Sequence, residues 1–169
     1  EAGIDYVYIP QTPIADITTG TAWLYSAIAK YLILEKYSVY DIISETPVEG
    51  NESKKAVATI KKLLDKIESS KNNEYIFSVS VEKLAEYLGY ETRKDHLKKL
   101  YRTISDTSFH VAFETEQLRH IAITFHSSKG LEFDEVIIFA EDYNLSEIKS
   151  IYNHYVAVTR AKEKLIIVK

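Results

Sequence analysis

The chain has 169 residues, 46% apolar and 27% charged, enough for one ordinary domain or two small subdomains with a core and a solvated surface. Its net charge of −4 argues against a domain that grips nucleic acid through phosphates alone, so any such contact should use a few placed groups or a partner domain. The absence of Cys excludes disulfides and thiolate zinc sites, and the five histidines (His96, His110, His120, His126, His154) show no metal-ligand spacing with carboxylates, so no metal site is expected.

The chain opens at Glu1 and contains no Met, which predicts a piece of a longer polypeptide rather than a trimmed N-terminus. It has no secretory leader pattern and no apolar run near the ~20 residues of a membrane helix, so a cytoplasmic protein without membrane contact is expected. Tyr6–Ile9 reads as a short strand stopped by Pro10 and Pro13. Asp16, Thr18 and Thr19 offer N-caps for a helix over Ala22–Lys36, whose stripe of Trp23, Leu24, Ala27, Ile28, Tyr31 and Leu32 is core. Ser44–Asn51 is a polar loop. From Ser53 to Ser69, Ala56, Ile60, Leu63, Leu64 and Ile67 form an apolar helix face. Lys54, Lys55, Lys61, Lys62 and Lys66 surround it, either as a solvated surface or as a phosphate contact.

Tyr75–Val79 reads as an extended piece. Ser80 caps a short helix through Tyr87, stopped by Gly89. Thr92 caps another from about Arg93 to Ile104, and Arg93, Lys94, Lys98, Lys99 and Arg102 make it the most basic stretch of the chain. That face is either solvated or turned to DNA. Near residue 110 the pattern changes. His110–Phe113 and His120–Phe125 read as strands, and Glu135–Ala140 is the apolar run of a strand buried on both faces. Ser146 caps a helix through roughly Ala161, and Lys164–Val168 is a final strand. Strand, loop, strand, helix, strand is α/β organisation. Three or four strands make a small sheet, either completed by Tyr6–Ile9 or left with an open edge.

Two clusters concentrate polar and charged residues at strand or helix ends. The first is Thr124-Phe125-His126-Ser127-Ser128-Lys129-Gly130-Leu131-Glu132-Phe133-Asp134, between two strands, where α/β proteins place ligands. Gly130 permits a sharp turn or a close backbone approach. The second is Asn153-His154-Tyr155-Val156-Ala157-Val158-Thr159-Arg160-Ala161-Lys162, at the end of a helix. Arg160 offers a permanently charged planar fork suited to phosphate. Taken singly, each has a plain alternative. Lys129 and Glu132 could be a surface ion pair, Arg160 a complement to a helix C-terminus, and His126 a hydrogen-bonded structural residue.

Taken together, the first cluster resembles motif V of the UvrD/Rep (superfamily 1) DNA helicases, T-x-H-x-x-K-G-L-E-[FY]-D before an apolar strand. The second resembles their motif VI, Y-V-A-x-T-R-A-[KR]. The resemblance covers about Arg119–Lys169. It implies an α/β fold: a partial RecA-like (P-loop NTPase-type), mostly parallel sheet carrying a helical insertion subdomain. Residues 1–109 would be the mainly helical segment, with an N-terminal strand lent to the sheet, and 110–169 the C-terminal part of the second RecA-like lobe.

The family role implied for Arg160 is an arginine finger at the ATP γ-phosphate. Glu132 would accept a hydrogen bond from the ribose, and Gly130 would bring backbone close to the nucleotide. Thr124 and His126 would lie on the DNA side, Thr124 as a phosphate contact and His126 in coupling. Lys129 and Thr159 would support the site. The implied parent is an ATP-dependent helicase moving 3′ to 5′ on single-stranded DNA, with Mg²⁺ as cofactor. Its partners would be an N-terminal RecA-like lobe of the same polypeptide, DNA, and a repair or defence complex.

There are departures. The run before motif VI is Ile151-Tyr152-Asn153-His154, where many of these helicases are rich in Glu and Arg. No G-x-x-x-x-G-K-[ST] occurs, Glu141-Asp142 is not a Walker B pair in context, and motif IV is not visible. The fragment alone is therefore expected to be inactive. The competing readings are a non-catalytic DNA- or protein-binding module derived from such a lobe, or part of a helicase–nuclease subunit.

Overall fold

The computed structural model describes residues 6–46, 54–115, 118–125, 127–128 and 130–169. The chain divides into two compact units, one of Thr12–Gln117 and one of Glu1–Gln11 with Leu118–Lys169. Among the described residues no helix is long and apolar enough to cross a membrane.

The Thr12–Gln117 unit is helical. After a 3-10 turn at Pro13–Asp16 come α1 (Ala22–Ile33), α2 (Val39–Glu45), α3 (Lys54–Ser69), α4 (Glu74–Tyr87) and α5 (Lys94–Ser105). Each presents a stripe at helical spacing to one core. Leu24, Tyr25, Ala27 and Ile28 come from α1, Ile60, Leu64 and Ile67 from α3, Phe77, Val81 and Leu84 from α4, and Leu97, Leu100 and Ile104 from α5. Trp23 packs against this core and meets Tyr90 edge-on, ring centroids 5.5 Å apart. Helix α2 was not evident from the sequence. Its start is fixed by a capping box in which the Asp41 carboxylate accepts from the Ser38 backbone N–H (2.7 Å) and hydroxyl (2.6 Å).

Two expected extended pieces are helical instead. Tyr75–Val79 is the first turn and a half of α4. Its β-branched and aromatic residues suit a strand, but Phe77, Ser80, Val81, Leu84 and Ala85 together repeat at helical spacing and are buried. Asn73, whose side chain accepts from the Ile76 N–H at 3.0 Å, caps that helix. Ser80 lies inside it and donates to Ile76 O. The helix ends in a Schellman turn: Tyr90 N–H donates to Ala85 O, Gly89 N–H to Glu86 O, and Gly89 takes φ +81°. His110–Phe113 is the end of a 3-10 segment, Thr107–Phe113, not a strand. Asp106 starts it by accepting from the Ser108 N–H and hydroxyl, and His110 Nε2 lies 3.0 Å from Ile104 O, which ties the segment to α5. The N-cap of α5 is Arg93, one residue beyond Thr92.

The second unit is α/β. Strand β1 (Val7–Ile9) pairs in parallel with β2 (Ile121–Ile123), and the two form a sheet of their own. Strand β3 (Phe133–Phe139) pairs in parallel with β4 (Ala161–Val168), with Val136 opposite Leu165 and Ile138 opposite Ile167. Between β3 and β4 lie a 3-10 turn at Ala140–Asp142 and α6 (Ile148–Val158), which makes a β-α-β unit. Helix α6 begins two residues after Ser146, with Glu147 at the N-cap, and stops before Thr159. Strand β3 is not buried on both faces. Ile138 is buried, whereas Ile137 and Phe139 are about half exposed, because the described strands form two pairs and not one continuous sheet.

Candidate functional site

Strand β2 ends at Ile123, and the chain then turns tightly. Ser128 N–H donates to Thr124 O (3.0 Å) and Leu131 N–H donates to Ser128 O (3.0 Å). The Thr124 hydroxyl works inside this turn: it donates to Ser127 Oγ (3.0 Å) and accepts from the Ser127 N–H (3.2 Å). The Ser128 side chain is buried and donates to Phe125 O at 2.8 Å. Gly130 has φ +86°, and a Cβ built there meets nothing within 4 Å. The residue is needed for its left-handed backbone, which costs an ordinary L-residue roughly 1–2 kcal/mol, and not for lack of space.

Arg160 lies in the turn between α6 and β4. Its Nε donates to Val156 O (3.0 Å), one η nitrogen to Leu131 O (3.0 Å), and the other to Thr159 Oγ1 (3.1 Å). Its own carbonyl accepts from the Phe133 N–H at 2.9 Å. The side chain therefore caps the last turn of α6 and also joins the Thr124–Phe133 turn to the α6–β4 turn. The helix-end reading of Arg160 and the two-cluster reading describe the same geometry. A guanidinium carries five N–H donors, and the three in use leave two for an oxyanion. The Thr159 hydroxyl donates to Tyr155 O (2.9 Å) or Val156 O (3.1 Å), which leaves its oxygen lone pairs to receive Arg160.

Glu132 is exposed at the end of the turn. Beyond it, Lys162 pairs with Asp134 at 3.1 Å across β4 and β3. That hydrogen bond and the Asp134 charge, with smaller help from Glu132 and Glu163, hold the Lys162 ammonium above its usual range. Arg160, Thr159, Gly130 and Glu132 thus lie on two turns that are bonded to each other, while Thr124 lies at the β2 end of the first. His126 and Lys129 lie outside the described residues, so the ion-pair reading of Lys129 with Glu132 does too. Among the described residues no group of three or more His, Asp or Glu side chains is placed to hold a metal ion.

The sequence reading did not single out Ser128 or the Leu131 carbonyl. A serine in a polar loop after a strand is a turn signal that could have pointed to Ser128. A backbone acceptor leaves no trace in residue type.

Residues 120–168 match the family described as UvrD-like helicase C-terminal domain. The chain is also 34% identical over 168 residues to the Gabija protein GajB of Bacillus cereus (strain VD045), an alignment that covers 99% of this chain and 33% of that one. The chain thus spans about a third of the length of the curated relative it matches.

Proposed function

From the premise that residues 120–168 belong to the UvrD-like helicase C-terminal domain family, we propose that this chain is the second-lobe part of an ATP-dependent DNA helicase and supplies its arginine finger. The observation that carries the reading is the Arg160–Leu131 hydrogen bond, which brings the two motif-bearing turns into one site.

In the assembled motor, water attacks the γ-phosphorus of ATP, the bond to the β,γ-bridging oxygen breaks, and ADP and phosphate leave. Charge spreads over the transferred phosphoryl oxygens, and the guanidinium of Arg160 meets it with the two donors left free by its present partners. Gly130 lets the backbone of its turn come near the nucleotide, and Glu132 accepts the ribose hydroxyl. Thr124 and His126 face the DNA strand, with Thr159 and Lys129 in support. The phosphate-cradling loop and the Mg²⁺ ligands come from a first RecA-like lobe, so this chain alone does not hydrolyse ATP. Lobe closure and reopening step the motor 3′ to 5′ along the DNA strand, in a repair or defence complex.

The test is ATP hydrolysis by the assembled motor with and without single-stranded DNA, beside its Arg160→Ala form. Fingers of this kind are worth about 10³–10⁵ in rate where they have been measured in GTPases, so turnover should fall by at least roughly 10³ while DNA affinity changes little. Hydrolysis near the wild-type rate in the variant would remove Arg160 from the reaction. No hydrolysis by the intact motor would favour the non-catalytic binding module.

A further inference from the structure

Helix α6 is apolar on the side that the rest of the chain leaves uncovered. Ile148, Ile151, Tyr152 and Tyr155 fall at i, i+3, i+4 and i+7, the spacing of one helix face. They are 73%, 46%, 67% and 64% exposed. On the other side Val156, Ala157 and Val158 are partly or fully covered, and the His154 ring meets Tyr143 edge-on, centroids 5.1 Å apart. A single exposed aromatic residue, such as Tyr40 on α2, is ordinary, whereas a continuous apolar strip marks a contact. Ile151 and Tyr152 also stand where many UvrD/Rep helicases are rich in Glu and Arg, so the strip is a departure of this chain and not a feature it shares with them.

The order of residues along the strip selects its occupant. The two isoleucines lie in the N-terminal half and the two tyrosines in the C-terminal half. A second copy laid antiparallel, about a two-fold axis between Ile151 and Tyr152, sets Ile151 of one copy against Tyr152 of the other and Ile148 against Tyr155. Every ring then covers a branched aliphatic side chain, which is the self-complementarity that a two-fold contact requires. Lys149 is the one charged residue between Ile148 and Val158, and this pairing places it opposite His154 and not opposite its own copy. At these exposures the four side chains offer roughly 450 Å² on each copy, given the 150–250 Å² that a buried aromatic side chain contributes. With Leu145, 56% exposed in the turn that leads into the helix, two copies cover about 1,000 Å², the lower bound for a specific interface.

We propose that the Ile148–Ile151–Tyr152–Tyr155 strip of α6 is a self-association surface that pairs two copies of this chain antiparallel. A contact of that size is reversible, with a dissociation constant on the order of micromolar. It involves neither ATP nor the guanidinium of Arg160, so it stands or falls apart from the arginine-finger reading.

The experiment is analytical ultracentrifugation of the 169-residue chain from about 1 to about 200 µM, a range that brackets such a constant. A reversible monomer–dimer equilibrium is expected. Ile151→Arg/Tyr152→Arg places like charges at the two-fold axis and should weaken pairing at least roughly a hundred-fold, with helix content by circular dichroism unchanged. Tyr40→Arg, which removes an exposed aromatic residue elsewhere, should leave pairing as it is. The register has its own readout, because the chain has no Cys. Ile151→Cys, next to the axis, should oxidise to a linked dimer. Ile148→Cys should not link to itself, since the two copies of that residue lie about 10 Å apart along the helix axes, beyond the roughly 7 Å that a disulfide spans. A mixture of Ile148→Cys and Tyr155→Cys chains should link.

The proposal is overturned if the wild-type chain stays monomeric throughout, or if the double-arginine form pairs as tightly as wild type, which would move the contact to another face. It is also overturned if Ile148→Cys alone links as fast as the mixture, since the copies then do not meet antiparallel.

Discussion

The guanidinium of Arg160 donates a 3.0 Å hydrogen bond to the carbonyl of Leu131, and the backbone of the next turn residue but one, Phe133, donates back to the Arg160 carbonyl at 2.9 Å. Side chain and main chain of one residue therefore clamp the Thr124–Phe133 turn. Any ligand that draws the guanidinium away must exchange that carbonyl for its own acceptor, and the turn that carries Gly130 and Thr124 is released or re-aimed in the same step.

Thr159 sets the angle of that guanidinium. Its hydroxyl proton goes to the α6 backbone, and its lone pairs face Arg160. Thr159→Val keeps the shape and removes the acceptor. In the helicase motor proposed above it should lower the turnover of ATP roughly five- to ten-fold, the size of one modest hydrogen bond, with KM for ATP nearly unchanged. Thr159→Ser should restore turnover. Equal rates for valine and threonine forms would show that the hydroxyl does not orient the arginine.

Asp41 makes the start of α2 sensitive to acid. Hydrogen bonds from the Ser38 side chain and then from its backbone hold the carboxyl below the ordinary aspartate value of 3.8. A group depressed in the folded state stabilises it above the ordinary value and loses that contribution as pH falls through the folded value. Thermal melting should therefore find Asp41→Asn less stable than wild type at pH 6. The gap should narrow steadily below pH ~4, as the wild-type carboxyl protonates. A gap that is constant down to pH ~2 would remove the capping box from the acid response.

Phe77 is fully buried and meets the Tyr101 ring edge-on, centroids 5.4 Å apart and planes 63° apart. Phe77→Ala should destabilise the helical unit by about 3–5 kcal/mol. Urea unfolding followed through Trp23, the one tryptophan of the chain and a neighbour of this core, reads that loss directly. A change under ~1 kcal/mol would mean that the core closes over the vacated space.

What the sequence disclosed depended on whether a residue's environment repeats in the chain. Helices α3 and α5 carry clean apolar stripes between charged flanks, and the spacing alone placed them within a residue or two. Tyr75–Val79 misled because its residue types suit a strand. The helix is decided by Phe77, Ser80, Val81 and Leu84 meeting the other helices, a tertiary effect that outweighs local preference. His110–Phe113 is held by Asp106 and by Ile104 O, neither of which lies in the segment itself. At the site, the two clusters were legible because side chains define them. The bonds that join them were not, since Leu131, Val156 and Phe133 take part through backbone groups that every residue possesses.

The pairing of β1 with β2 has a consequence for the order of folding. These strands are hydrogen-bonded neighbours, with Val7 opposite Ile121, yet the whole Thr12–Gln117 unit lies between them in the chain. Closing so long a loop in an unfolded chain is an entropic burden that grows by about 0.6 kcal/mol with each doubling of length, and three-residue strands return few bonds against it. The helical unit is built largely from neighbours in sequence and can collapse without that closure. Once collapsed, it shortens the free chain between Ile9 and Ile121 to a few residues at either end. By this physics the helical unit acts as an internal tether, and the β1–β2 ladder waits for it.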